Sequence, residues 1–284
     1  MAKLLLGAPV ANALGEKLEG EITRLKRLGV TPTLAIVRVG ERKDDLSYER
    51  GAINRCDGLG IDVRQFVLDG GCSQEELIAT IEQVNNDASI HGCLMFRPLP
   101  AGLDEAAACA ALDPAKDVDC ITEGSMYGIF VNKPIGFAPC TAEACIELLD
   151  YYGYDLTGAR VTVIGRSLVI GKPVSMMLQS RNATVTMCHT RTKDMAAECR
   201  EAEILVVAAG HIGTIGADAA APQQVIVDVG INWDQNAGKL CGDVLFDEVE
   251  PLVSAITPVP RGVGSITTAV LAKHVVEAAR RQTA

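Results

Sequence analysis

Residues Ala159 to Pro173 read ARVTVIGRSLVIGKP: a strand-like apolar run (Val161, Val163, Ile164) that stops at Gly165. It then passes through a second glycine, Gly171, into the helix-compatible stretch Val174 to Gln179. A strand that ends on glycine and turns into a helix presents backbone N–H groups and a helix N-terminus, the arrangement with which α/β folds hold phosphate. The spacing is glycine, five residues, glycine; Ser167 takes the middle position of the usual G-x-G-x-x-G. Taken alone, the pattern also fits an ordinary strand-to-helix turn, so the surrounding chain has to decide.

The rest of the chain repeats this alternation. Val10 to Leu28 reads as an amphipathic helix, Thr33 to Val39 as a strand, Ser47 to Leu59 as a helix and Val63 to Leu68 as a strand. Ser73 to Asn86 opens with a capping serine followed three residues later by Glu76, so it reads as a helix. His91 to Phe96 is a short apolar strand running into Pro98, Leu99 and Pro100, and Thr141 to Tyr152 is a connecting helix. After Val161 come strands near Thr184–Cys188, Ile204–Ala208 and Val225–Val229, and an amphipathic helix over Thr267–Arg281 closes the chain. A βαβ rhythm implies a parallel sheet. The expected organisation is an α/β protein of two βαβ domains, the second a Rossmann-like dinucleotide-binding domain. Their expected limits are a catalytic domain over 1–140 and a nucleotide domain over 141–265, with the last helix (266–284) folding back onto the first.

Composition removes other classes. The 284 residues are 48% apolar, enough for two cores, and no run approaches the roughly 18 apolar residues of a membrane span. Glu16, Lys17 and Glu19 break the early apolar stretch, against a signal peptide. A net charge of −10 argues against a nucleic-acid partner, which calls for a basic face. The ten cysteines contain no C-x-x-C, so no zinc site is expected; they read as reduced, mostly buried residues of a cytoplasmic protein.

In a dinucleotide fold, an acid about 20 residues past the first glycine accepts the ribose hydroxyl of NAD, whereas an arginine suits the 2′-phosphate of NADP. Here the strand Thr184–Cys188 ends in His189, Thr190 and Arg191, and the first acid is Asp194. Arg166 and Ser167 in the glycine turn add a second cation and a hydroxyl, so NADP fits better than NAD; Arg191 as a solvated loop residue is the alternative. Two further segments stand out. Ile256 to Thr268 (ITPVPRGVGSITT) packs two prolines and two glycines into seven residues, a rigid loop before a helix start. Asp113 to Asp119 (DPAKDVD) sets three carboxylates around one lysine, as a site or as a solvated turn.

Together these segments resemble the methylenetetrahydrofolate dehydrogenase/cyclohydrolase family. The matching stretches are Lys116–Asp119 (KDVD), Pro139–Thr141 (PCT), Val163–Pro173, Ala183–Thr192 (ATVTMCHTRT), Val227–Asn232 (VDVGIN), Gly242–Val244 (GDV) and Ile256–Gly264. The resemblance implies two α/β domains with a folate cleft between them, a cytosolic homodimer, tetrahydrofolate as the substrate carrier and a nicotinamide cofactor. It implies Tyr48 and Asp119 as catalytic and folate-binding residues, Asp119 pairing with the pterin ring, and Pro258, Gly262 and Gly264 as further substrate contacts. It implies a cofactor site built from Gly165, Arg166, Ser167, Gly171, Pro173, His189, Thr190, Arg191, Ala209, Gly210, Gly230 and Ile231. No metal, nucleic acid or membrane enters this picture.

The chain also departs from the family pattern. A family tyrosine is followed four residues later by a lysine and then, four further on, by a cysteine; here Tyr48 and Cys56 stand in place but the lysine position holds Ala52. The glutamine that assists the lysine is Phe96, and Arg261 and Ser265 replace the glycine and proline usual in the late loop. Dehydrogenation leaves an amidinium cation delocalised over two nitrogens and requires mainly positioning. Hydrolysis of that cation needs proton transfers, and a general acid–base group contributes about 10²–10⁴-fold. Ala52 and Phe96 supply none of this. The leading expectation is an NADP-dependent methylenetetrahydrofolate dehydrogenase with weak or absent cyclohydrolase activity, the hydrolytic step falling to a separate cyclohydrolase. Three alternatives stay open: a bifunctional enzyme using Arg50, Arg55 or Arg97; an inactive folate- or nucleotide-binding regulatory protein; and a dehydrogenase of another pterin or imine, its cleft reshaped by Phe96 and Arg261. Arginine is a poor acid–base substitute because it stays protonated.

Overall fold

The computed structural model describes residues 1–235 and 237–283. Its elements begin with β1 (Lys3–Leu4), α1 (Gly7–Arg27), β2 (Thr33–Val39), α2 (Lys43–Leu59), β3 (Asp62–Leu68), α3 (Gln74–Asn86) and β4 (Gly92–Met95). Next come α4 (Glu105–Ala111), α5 (Glu123–Phe130), α6 (Cys140–Tyr151), β5 (Arg160–Ile164), α7 (Gly171–Ser180), β6 (Thr184–Cys188), α8 (Met195–Arg200) and β7 (Ile204–Val207). The chain continues through β8 (Val225–Asp228), β9 (Asn232–Asp234), β10 (Lys239–Cys241), α9 (Phe246–Val249), β11 (Ala255–Ile256) and α10 (Thr267–Thr283). It folds as two units: Asn12–Cys140 with the segment from Thr268 onward, and Met1–Ala11 with Thr141–Thr267.

The first unit holds a three-stranded parallel sheet in the order β3-β2-β4. Its central strand TLAIVRV is buried along its whole length, as expected of a strand covered on both faces. Leu77, Ile81 and Val84 of α3 pack on Ala35, Val37, Val39, Cys93 and Met95. Ser73 caps α3 by accepting Glu76 N–H at 3.1 Å, a cap that contributes about 1 kcal/mol. In this unit α10 is tied down by His274, whose Nδ1 lies 2.8 Å from Val118 O, by Arg281 donating to Gly136 O, and by Gln282 donating to His91 O.

The second unit holds a six-stranded parallel sheet, β1-β11-β8-β7-β5-β6, and the antiparallel hairpin β9-β10. Leu205, Val207, Ile226 and Ile256 form its core with Ile164 and Cys188. β6 lies on one side of β5 and β7 on the other, so the strand order reverses between β6 and β7 across β5; in open α/β sheets ligands bind at such a point, beyond the strand ends. This is the α/β architecture with a Rossmann-like second unit that the alternation implied.

Three expectations need correction. A single domain over 1–140 does not hold for its first eleven residues: β1 pairs with β11, Lys3 opposite Ala255 and Leu4 opposite Ile256, which takes Met1–Ala11 into the second unit. The first helix starts at Gly7 rather than Val10, because a proline in the first turn (Pro9) breaks no helical hydrogen bond. The second helix starts at Lys43 rather than Ser47, with Asp44 and Asp45 in its first turn where carboxylates favour the helix dipole. Seven cysteines are buried and Cys72, Cys109 and Cys241 are partly exposed. Among the described residues no helix is long and apolar enough to cross a membrane, and no cluster of His, Cys, Asp and Glu could hold a metal ion.

Candidate active site

α2 carries Tyr48, Ala52 and Cys56 at four-residue steps, which puts all three on one helix face. Ala52 and Cys56 are 0% and 1% exposed, whereas Tyr48 is half-buried. Burial pushes the Cys56 thiol up to about 12, so it is protonated and inert near neutral pH. Phe96, one residue beyond β4, sets its ring edge-on to Tyr48, with centroids 6.1 Å apart and planes at 82°. Aromatic pairs of this kind contribute about 0.5–1.5 kcal/mol beyond their burial, enough to bias the Tyr48 ring toward one orientation.

A buried ionic network lies one residue along the same helix. Glu49 (3% exposed) accepts from Arg38 Nε at 2.8 Å and from Gln65 Nε2 at 2.5 Å, and Arg38 also donates to Gly40 O. Asp45 is buried too; desolvation raises its carboxyl pKa against the lowering effect of Arg42, 3.8 Å away. None of the arginines weighed as lysine substitutes stands unengaged at Ala52. Arg97 pairs with Glu105 at 3.6 Å. Arg55 lines an open groove of about 540 Å³ between α1 and α2, beside Asn12, Glu16 and Glu19. Arg50 is exposed, and two residues along a helix place it about 200° around from Ala52.

The DPAKDVD motif resolves into three separate tasks. Lys116, 5% exposed, donates from Nζ to Val84 O, Asn85 O and Asp87 O at 2.7–2.8 Å, closing the C-terminal end of α3. Asp117 is fully buried and accepts from Ile121 N–H, Thr122 N–H and the Thr122 hydroxyl, so it staples the loop that starts α5. Asp119 remains partly open to solvent. Its Oδ1 accepts Cys140 N–H at 3.0 Å, and burial raises its pKa against that bond.

In the second unit the expected cofactor residues fall just past the C-terminal ends of four neighbouring strands, except for two that open α7. Gly165, Arg166 and Ser167 follow β5; His189, Thr190 and Arg191 follow β6; Ala209 and Gly210 follow β7; Gly230 and Ile231 follow β8. Gly171 and Pro173 open α7. The glycine spacing has a steric cause. Gly165 sits at φ +123° and a Cβ there would strike Ala208 O; a Cβ on Gly171 would strike Gly165 O. The loop between them leaves Arg166, Ser167, Leu168 and Val169 exposed, with Ser167 Oγ accepting Ile170 N–H. Past β6, Arg191 N–H donates to His189 Nδ1 at 3.1 Å and His189 N–H to Thr192 Oγ1 at 2.9 Å, and this tight turn leaves the Arg191 side chain exposed. Asp194, the first acid after the strand, is the N-cap of α8, accepting Ala197 N–H.

The late loop belongs to this second unit, whereas Tyr48 and Asp119 belong to the first. Pro258 and Gly262 are buried and Gly264 is exposed. Together with Gly230, Ile231 and Leu240 they line a cavity of about 240 Å³. Arg261 holds φ +84°, the left-handed region that favours glycine, and its carbonyl accepts Gly7 N–H at 2.9 Å.

Residues 5–119 match the model of the tetrahydrofolate dehydrogenase/cyclohydrolase catalytic domain, and residues 139–283 that of the NAD(P)-binding domain of the same family. The chain belongs to the tetrahydrofolate dehydrogenase/cyclohydrolase family. It is 50% identical to the bifunctional protein FolD of Carboxydothermus hydrogenoformans over 98% of this chain and 97% of the relative. The crystal structure of the bifunctional FolD enzyme of Campylobacter jejuni superposes with a TM-score of 0.95 at 34% identity, covering 99% of both chains. The Trypanosoma brucei FolD structure, complexed with NADP cofactor and inhibitor, reaches a TM-score of 0.92 at 32% identity, covering 99% of this chain and 98% of that one. Within this family member, sequence reasoning missed the Arg38–Glu49 pair and the capping task of Lys116. An arginine inside an otherwise apolar strand, TLAIVRV, was the available signal for the first.

Proposed function

We propose that this protein is an NADP-dependent 5,10-methylenetetrahydrofolate dehydrogenase with little or no cyclohydrolase activity, working as a cytoplasmic homodimer. The observation that carries the reading is the pair Ala52 and Phe96: a fully buried methyl group where the family has its lysine, and an aromatic ring packed on Tyr48 where it has the glutamine. The backbone fits a dinucleotide, since Gly165 and Gly171 let the turn after β5 pack directly on Ala208 O and on its own backbone, which brings the start of α7 up to the strand ends. Gly165–Ser167, Gly171, Pro173, His189–Arg191, Ala209, Gly210, Gly230 and Ile231 would hold it, with the exposed Arg166 and Arg191 matched to a 2′-phosphate. When bound, the nicotinamide supplies the hydride acceptor.

The chain's own residues then position and exclude. Asp119 accepts the donors of the pterin ring, and its neighbour Cys140 N–H keeps one oxygen oriented. Tyr48 lies along the ring system, steadied by Phe96. Pro258, Gly262 and Gly264 are the remaining folate contacts. The product is a cation, and at Ala52 the chain places no ammonium to repel it. Neither Ala52 nor Phe96 passes a proton to or from water, so the methenyl group leaves intact. A bifunctional enzyme using Arg50, Arg55 or Arg97 is disfavoured by the ion pair, groove position and helix face described above. The test supplies methylenetetrahydrofolate with NADP or NAD and follows methenyl formation and decay separately. Methenyl that accumulates with NADP and decays at the buffer rate supports the reading; absent dehydrogenation, or faster decay, overturns it.

A further inference from the structure

The two motifs VDVGIN and GDV contain aspartates that no step above uses. Asp228 ends β8 and is 4% exposed; Asp243 lies beyond β10 and is 0% exposed. Among the described residues neither has a cationic partner. Instead they are saturated by donors. Asp243 Oδ2 accepts Ala209 N–H at 2.7 Å and Gly210 N–H at 2.9 Å, and its Oδ1 accepts Asn232 Nδ2 at 2.9 Å. Asp228 Oδ1 accepts Gly230 N–H at 3.0 Å and Asp243 N–H at 3.1 Å, while its Oδ2 accepts Val244 N–H at 3.0 Å.

The two segments also interlock sterically. A Cβ on Gly230 would collide with the Asp243 carboxyl, and a Cβ on Gly242 would collide with that of Asp228. Each strand-end segment therefore supplies one aspartate and one glycine, the glycine making room for the other segment's aspartate. Thr257 completes the joint: Asp228 N–H donates to its hydroxyl at 2.7 Å, and that hydroxyl donates to Asp228 O at 3.2 Å.

We propose that Asp228 and Asp243 are positioning residues for the dinucleotide, an interlocked pair of buried carboxylates that fixes the backbone of the loops after β7 and β8. The proposal rests on the reading of this unit as the NADP-binding one. Packing alone gives no reason for the pair, because two unneutralised carboxylates in an interior are expensive and an apolar replacement of equal volume is often no less stable. What they do achieve is geometric. By drawing the N–H groups of Ala209 and Gly210 inward, Asp243 turns the carbonyls of the same trans peptides outward, and one of them, Ala208 O, is the atom against which Gly165 packs. The clasp thus sets the ends of β7 and β8 relative to the glycine turn after β5, three strand ends that carry residues assigned to the cofactor.

The experiment uses the full-length protein, with NADP and a folate ligand titrated separately. Asp243→Asn turns an amide toward two N–H donors, or, flipped, toward the Asn232 amide. It should weaken NADP binding at least tenfold and raise the NADP KM alike, with folate affinity within twofold and kcat at saturating NADP within threefold. Gly242→Ala, which pushes on Asp228 and lies outside the assigned cofactor residues, should give the same selective loss. Asn232→Ala removes a single donor and should cost two- to threefold; it serves as the readable variant if Asp243→Asn does not fold. NADP binding within twofold of wild type in the first two variants overturns the proposal, as does a parallel fall in both affinities, the mark of a merely structural role. If Asn232→Ala is the readable variant, NADP binding equal to wild type overturns it. Wild-type protein that binds NADP yet fails to oxidise methylenetetrahydrofolate would sink the proposed activity and leave the clasp standing.

Discussion

Rebuilding the lysine–glutamine pair tests most directly why this site should stop at the methenyl product. Ala52 is 0% exposed, so Ala52→Lys forces a long chain into packed space, at about 1–3 kcal/mol for the overpacking alone. Phe96 would offer the ammonium no hydrogen-bond acceptor, since its side chain is an apolar ring set edge-on to Tyr48. Phe96→Gln removes that ring contact, a loss of about 0.5–1.5 kcal/mol, and puts a carbonyl acceptor in its place. An effective acid–base group contributes about 10²–10⁴-fold to the hydrolytic step. The single variant Ala52→Lys should therefore raise methenyl hydrolysis by less than about tenfold, and the double variant by about a hundredfold or more over buffer. Stopped-flow absorbance of enzyme-generated methenyltetrahydrofolate, with decay in buffer as the baseline, reads both rates. Dehydrogenase turnover should fall in the double variant, because a cation returns beside a cationic product. Unmodified protein that hydrolyses methenyltetrahydrofolate well above buffer refutes the reasoning, and so does full hydrolytic activity in Ala52→Lys alone.

Asp119→Ala should weaken folate binding by about 1.5–3 kcal/mol, the scale of a hydrogen bond to a charged group, and calorimetric titration of the ligand checks it. Arg191→Ala should lower NADP affinity roughly tenfold with little change for NAD; a wild-type preference for NAD would count directly against the pairing. Burial pushes the Asp228 carboxyl up to about 6 from 3.8, so the folded chain holds this proton more tightly than the unfolded one. Stability from this group is therefore full below about pH 4 and falls as pH rises through 6, by about 3 kcal/mol in total at ~1.4 kcal/mol per unit. Urea denaturation between pH 4 and 7 should show that slope in wild type and lose it in Asp228→Asn. Lys116→Met leaves three helix-end carbonyls without their donor and should cost about 3 kcal/mol or more, read as a lower urea midpoint with an unchanged slope.

Local rules made much of this protein legible. β2 and β6 occupy the spans their apolar patterns imply, and Ser73 caps α3 as its spacing with Glu76 requires, because period, propensity and capping act over a few residues. The glycine turn after β5 was readable for the same reason, and so was the absence of a proton-transferring side chain at positions 52 and 96. Long-range pairing was not. β1 is two residues long and carries no strand signal of its own; its place beside β11 is decided by backbone hydrogen bonds some 250 residues apart in the chain. The seven residues of DPAKDVD look like one charged cluster in sequence. Packing separates them, since Lys116 reaches the end of α3 and Asp117 turns inward, leaving Asp119 partly open. Glu49 reads as a surface helix residue until Arg38, on a strand inside the core, supplies the charge that lets it be buried. The sequence by itself determined which chemical groups this protein has to work with; only the tertiary structure decided which are spent on holding the chain together and which stay open for a ligand, because burial and distant backbone donors set that division.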